Sequence, residues 1–179
     1  SRTPVREAVI QLSEESRIIE IFPQRGMRIA LIDVELVEEA RFLRLVLEKA
    51  AVELVCGQAD EEDLRWLDEN IRLQEFYLEG GSSQKLLELD NKMHRKLFSI
   101  CRKELTYEMC QRLAIHYDRI RSLSVATVKD HKIIEDHKKL LEAIRRRDKK
   151  QAVEIMELHL NRWMLNEQMF RNRYPAYFK

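Results

Sequence analysis

Between Ser83 and Cys101 the sequence SQKLLELDNKMHRKLFSIC repeats its apolar residues at the spacing of an α-helix, with Leu86, Leu89, Met93, Leu97 and Ile100 on one face. Asp90 and His94 fall on that same face, so a carboxylate and an imidazole one turn apart point into whatever the helix packs against. Two later stretches repeat the pattern: His137 stands among Ile133, Ile134, Leu140 and Leu141, and His159 among Ile155, Met156 and Trp163. Buried polar groups need partners, and the economical common partner for one Asp and three His is a divalent metal ion. Zinc or nickel suits this donor set best, with iron and manganese behind, and four protein ligands leave one or two positions for water or a ligand carboxylate. The alternative is a set of separately hydrogen-bonded core residues.

The rest of the composition agrees with helices around a core. Only four Gly and three Pro interrupt 179 residues that are 45% apolar, which suits one large helical domain with a small appendage. Charged residues make up 35% of the chain, yet the net charge is +1, so contact with nucleic acid has to come from a local patch. Cys56, Cys101 and Cys110 are odd in number, lack metal-ligand spacing and read as buried thiols in a reducing compartment. No apolar run approaches the roughly 18 residues of a membrane span, and no charged-then-apolar leader is seen. A cytoplasmic protein without a membrane partner is expected.

The appendage is residues 1–32. Residues 1–12 read as a short helix capped by Ser1 or Thr3, with Pro4 in its first turn, Val5, Ala8, Val9 and Leu12 on one face, and Arg2 and Arg6 on the other. Residues 18–22 and 27–32 read as two strands joined through Pro23, Gln24, Arg25 and Gly26, a hairpin with Arg25 at its tip. A helix followed by a basic hairpin suggests a winged helix. Residues 33–179 form the larger domain. Asp33 caps a helix to about Cys56 whose inward stripe is Val37, Ala40, Arg41, Leu47, Ala51, Leu54 and Val55, joined by Arg44 and Glu48. An arginine on an apolar face wants a carboxylate, which Glu48 or a bound ligand could supply. Asp60 starts the next helix, Gly80-Gly81-Ser82-Ser83 ends it, and another helix runs from about Glu104 to Ser124. On that helix His116 is expected to line the pocket without binding metal. His131 is expected to face water, and Trp66, Tyr77 and Tyr107 to pack in the core.

The opening SRTPVREAVIQLSEESRIIEIFPQRG closely resembles the recognition helix and wing of the GntR family of bacterial transcription regulators. The resemblance implies that Ser1, Arg2, Thr3 and Arg6 enter the major groove while Gln24, Arg25 and Gly26 reach the neighbouring minor groove. Arg offers guanine a bidentate fork, and small hydroxyls and backbone amides hold phosphate. Ser16 stands where the family usually has glycine, and the helices that precede a recognition helix are not in this sequence. The series R-x-x-L-E at Arg44 to Glu48, D-x-x-x-H at Asp90 to His94, and EDHKKLLEAIRRRDKKQAVEIMELHL is similar to the FCD effector domain of the FadR-type branch. Arg147 replaces a glycine often found there, and Arg102-Lys103-Glu104 replaces an Asn-containing turn.

The resemblance implies a mainly α protein: a partial winged helix-turn-helix followed by an all-helical bundle of six or seven helices. It further implies metal ligands Asp90, His94, His137 and His159, a small carboxylic acid effector clamped by Arg44, a homodimer on an inverted-repeat operator, and a repressor rather than an enzyme. The competing reading is a metal-dependent helical enzyme, or a sensing module with no DNA function. The di-iron signature of paired Glu-x-x-His and the zinc-hydrolase signature His-Glu-x-x-His are both missing.

Overall fold

The computed structural model describes residues 1–127, 131–162 and 167–179. Trp163 lies outside them. The first helix, α1, spans Arg2–Ser16, with Ser1 at its N-cap accepting from the Thr3 amide. It runs a turn past the expected end because the Ser16 hydroxyl bonds back to the Leu12 carbonyl and the Ser13 hydroxyl to the Ile19 carbonyl, satisfying groups that no apolar pattern announces. Arg17, beside Ser16, takes the left-handed conformation (φ 54°) that ends the helix. β1 (Ile19–Phe22) and β2 (Gly26–Ile29) pair antiparallel with Ile19 opposite Ile29 and Phe22 opposite Gly26. Gln24 and Gly26 supply the positive φ of the turn.

Seven helices follow among the described residues: α2 Val34–Gln58, α3 Glu61–Glu79, α4 Ser83–Ile100, α5 Glu104–Thr127, α6 His131–Arg145, α7 Lys149–Asn161 and α8 Glu167–Arg173. Asp33 caps α2 by accepting from the Glu35 amide, and Asp60 caps α3 in a reciprocal pair with Asp63. α2 packs between α5 and α7, while α3 packs on α4 and α6. The buried face of α2 is Val37, Ala40, Arg44, Glu48, Ala51, Val52, Val55 and Cys56. Leu54, expected inside, is exposed, and Val52 and Cys56 fill the C-terminal end of the stripe instead.

The main core joins Val52 and Val55 of α2, Leu67 and Ile71 of α3, Met93 and Leu97 of α4, and Ala143, Ile144 and Met156 of α6 and α7. A second cluster sits where the bundle meets the hairpin, with Ile32, Val37, Tyr117, Ile120, Phe170 and Phe178. There the C-terminus folds back: the Ile32 amide donates to the Tyr177 carbonyl and the Lys179 amide to the Ile32 carbonyl. α8 and this return carry no motif that the sequence reading recognised. Their anchor is the fully buried Phe170.

Candidate metal centre

Four side chains converge in the bundle. Asp90 and His94 stand one turn apart on α4, His137 comes from α6, and His159 from α7. One ligand atom from each lies within 4.8 Å of all the others. Nε2 of His137 is 3.3 Å from Nε2 of His159 and 3.5 Å from Asp90 Oδ1, and Nε2 of His94 is 3.6 Å from Asp90 Oδ2. Tetrahedral bonds of zinc to nitrogen and oxygen place neighbouring donors about 3.3 Å apart, so the spacing fits one ion.

The far side of each ring faces an oxygen acceptor. His94 Nδ1 bonds Glu48 on α2, whose other oxygen takes the Arg44 Nε proton at 2.5 Å. His137 Nδ1 lies 2.9 Å from Gln74 Oε1 on α3. His159 Nδ1 lies 3.8 Å from Asp136 Oδ2, and Asp136 also receives the Arg162 guanidinium, at 2.6 Å on Oδ1. An imidazole that donates through Nδ1 presents a lone pair at Nε2, and His94 Nε2 is buried with no hydrogen-bond partner while it faces a carboxylate. Two acceptors turned toward each other in a dry interior repel unless a cation sits between them. The donor set fits a divalent metal, which would be held by Asp90, His94, His137 and His159.

The electrostatics favour the ligating forms. Burial pushes the Asp90 carboxyl up, but the Arg121 guanidinium and the surrounding imidazoles outweigh it and hold Asp90 well below the carboxylate range. Glu48, opposed by burial but held by Arg44 and His94, ends at about 2. Burial depresses His94 and, more strongly, His137, where the neighbouring His159 adds to the effect. These imidazoles are neutral at ordinary pH, as ligation requires.

A cleft of about 580 Å³, open mouth included, adjoins the cluster. Asp90 and His159 form part of its wall, with Arg121, Arg162 and Tyr117 as further polar groups and Leu86, Val125 and Ile133 as apolar ones. Arg121 bonds Asp90 directly, and its other nitrogen reaches Asn91 Oδ1 at 2.7 Å and Asp118 Oδ1 at 2.5 Å. Arg44 does not line this cleft. It is 5% exposed, committed to Glu48 and stacked over the Tyr117 ring, so the cleft's guanidiniums are Arg121 and Arg162.

Residues 39–162, most of the chain, match the family model described as the FCD domain. The chain belongs to the FCD-domain family of GntR-type regulators. It is 29% identical over 161 residues to the HTH-type transcriptional repressor RspR of Escherichia coli K12, covering 89% of this chain and 70% of that protein. It is 27% identical over 167 residues to the regulator YdhC of Bacillus subtilis, covering 90% and 72%. Among solved structures, E. coli McbR/YncC superimposes with a TM-score of 0.81 at 19% identity, covering 96% of this chain and 85% of that one. A Streptococcus agalactiae GntR gives 0.60 at 23%, covering 89% and 79%.

In this FCD protein the expected DNA-reading residues sit on the small head, which α1 and the hairpin form. Ser1, Arg2, Thr3, Arg6, Gln24, Arg25 and Gly26 are all exposed. Ser1, Arg2, Arg6, Gln24 and Gly26 border one groove between helix and wing, floored by Val5, Val9, Ile21, Phe22 and Met27. His116, expected in the effector pocket, lies elsewhere: its Nε2 contacts the Ser16 carbonyl at 2.6 Å, at the junction of head and bundle. His131 is exposed beside Glu79, as expected, and Tyr107 is buried, whereas Trp66 and Tyr77 are half-buried. Sequence reasoning missed Gln74, Asp136, Arg121 and Arg162. Their signals were present: Asp136 precedes His137, Arg162 lies one turn after His159, and Gln74 shares the inward face of α3 with Leu67 and Ile71.

Proposed function

We propose that this GntR-type regulator senses a small carboxylic acid through a divalent metal held by Asp90, His94, His137 and His159. The carrying observation is the convergence of those donors beside a cleft that also presents Arg121 and Arg162. A metal supplies a Lewis-acidic position for an anionic oxygen, and a guanidinium can take the second oxygen of a carboxylate. Arg44 acts one step behind the cleft, through Glu48 and His94, rather than as the clamp itself. Zinc or nickel is the metal the donor set favours.

The DNA reading places Arg2, Thr3 and Arg6 in the major groove and the Gln24–Gly26 wing tip on the neighbouring minor groove of an inverted-repeat operator. The relative RspR, a transcriptional repressor, supports repression. A homodimer is supported by an exposed apolar stripe on adjacent helices, Phe42 and Val46 of α2 with Leu105, Met109 and Leu113 of α5. No described helix is long and apolar enough to cross a membrane. Such a regulator works where the DNA is, in the cytoplasm.

Metal analysis of the purified chain, paired with mass spectrometry of what it releases on denaturation, tests the reading. Close to one metal equivalent and a co-purified organic acid are expected, and His137→Ala should lose both. Full metal occupancy in that variant would remove His137 from the ligand set. Turnover of the released compound by the loaded protein would favour the enzyme reading instead.

A further inference from the structure

Helix α3 offers the candidate centre no donor, yet two of its polar side chains are almost completely buried. Gln74 is 0% and Asn70 4% exposed. Both lie on the inward face with Leu67, Ile71 and Leu78, where an amide has to be accounted for atom by atom. The accounting has one solution. It begins at the main-chain carbonyl of Leu89, the residue before Asp90, which can only accept. The Asn70 amide nitrogen stands 3.2 Å from it and donates. That fixes the Asn70 amide, so its Oδ1 faces Gln74 and can only accept from the Gln74 Nε2 at 2.6 Å. Gln74 in turn is left with Oε1 toward His137 Nδ1 at 2.9 Å, and an amide oxygen can only accept. His137 therefore carries its proton on Nδ1 and its lone pair on Nε2, the atom facing Asp90 and His159.

We propose that Asn70 and Gln74 form a one-way hydrogen-bond relay from the Leu89 carbonyl to the His137 ring, fixing the tautomer that leaves His137 Nε2 free to bind the metal. This rests on the metal reading given above. Flipping either amide sets oxygen against oxygen or nitrogen against nitrogen in a dry site, so each link enforces the next. A flipped Gln74 would turn its NH2 on His137 Nδ1 and drive the proton to Nε2, where it blocks coordination. The relay also joins two of the three ligand-bearing helices, α4 and α6, through α3, which holds Asp90 and His137 in register. His94 differs, since its support is the carboxylate of Glu48. Asn70 and Gln74 are positioning residues: neither touches the metal, and both set how tightly it is held.

The test measures zinc affinity of the whole chain by competition with a chelator, together with the imidazole nitrogen-15 shifts of His137 in protein freed of metal. Asn70→Leu should weaken zinc binding about 10- to 100-fold, the range usual for loss of an outer-shell partner, and should move the His137 proton away from Nδ1. Asn70→Asp, held as the protonated acid against the Leu89 carbonyl, donates to that carbonyl through its hydroxyl and still offers its other oxygen to Gln74 Nε2, so it should keep the Nδ1–H tautomer and bind zinc within a few-fold of the parent. Gln74→Met, close to glutamine in volume, repeats the test if Asn70→Leu does not fold. Equal losses from Asn70→Leu and Asn70→Asp would overturn the relay in favour of plain packing, as would an unchanged tautomer in Asn70→Leu. A parent chain that binds no zinc would defeat the metal reading alone, because the tautomer of His137 would still decide the relay.

Discussion

At the scale of single residues, the centre is a set of charges whose protonation the fold has already chosen. His94 and His137 lie below the usual imidazole range, with burial as the main cause in each. A depressed imidazole stays neutral in the folded chain while its unfolded counterpart takes up a proton. Stability from this source is therefore complete above the ordinary pKa of 6.5 and lost as pH falls below it, until the folded pKa is reached. Each imidazole contributes a slope of at most about 1.4 kcal/mol per pH unit in that window. Urea denaturation of the metal-free protein between roughly pH 7.5 and 5.5 should show the midpoint falling with acidity. His137→Gln should flatten the slope by about one proton's worth, and a slope unchanged by that substitution would mean that His137 is protonated in the fold. Asp90 and Glu48, held low by Arg121 and by the Arg44–His94 pair respectively, belong to a separate loss at more acid pH.

Among the helices and turns, the sequence was most legible where local chemistry acts alone. The caps at Asp33 and Asp60, the hairpin around Gly26, and the apolar faces carrying Asp90, His94, His137 and His159 follow from spacing and residue type. What stayed hidden depends on which neighbour covers a face. Leu54 and Val52 are both apolar residues on α2, and only the packing of α7 and α6 decides which is buried. Spacing offers Arg44 either Glu48 or a ligand carboxylate, and the folded bundle pairs it with Glu48, whereas Arg121 reads as an ordinary charge until α5 lies against Asp90. The departures from the family pattern acquire a physical meaning here. α4 and α6 both end with the paired bonds of a Schellman turn: Lys103 to Phe98 and Arg102 to Ser99, then Asp148 to Ala143 and Arg147 to Ile144. The left-handed residue is an arginine each time, with φ 56° at Arg102 and at Arg147. An L side chain there costs about 1–2 kcal/mol, part of which glycine returns through a freer unfolded chain. Arg147→Gly, at an exposed site, should raise stability by about 0.5–1 kcal/mol, seen as a melting temperature higher by about 1–4 °C. A lower melting temperature would show that the arginine makes a compensating contact.

In the whole molecule α5 touches both the candidate centre and the head, with a different face for each. Tyr117 and Arg121 turn to the cleft, where Arg121 holds Asp90. On the other side His116 contacts the Ser16 carbonyl at the end of α1, and Arg119 donates to the Ala30 carbonyl at 2.8 Å and the Leu31 carbonyl at 3.4 Å, where the wing runs into α2. The C-terminal return closes the same junction through Lys179 and Asp33. Continuity of the wing with α2 through Leu31 and Ile32 is visible in the sequence, but the clamp from α5 is not, because His116 and Arg119 are about a hundred residues from the carbonyls they hold. On the proposed reading, a metal at Oδ1 of Asp90 would draw charge from the carboxylate whose Oδ2 holds Arg121, which would change the load on α5 and with it the seat of the head. Linkage then requires that zinc change operator affinity by the same factor by which operator changes zinc affinity. Couplings of this kind run to about 5- to 150-fold. In a chain carrying the complete winged helix, fluorescence anisotropy with operator DNA should show that zinc-dependent factor, and Arg119→Ala should bring it close to one while leaving zinc affinity without DNA unchanged. If the factor survives both Arg119→Ala and His116→Ala, α5 does not carry the signal, and the route left is the wing's own continuation into α2.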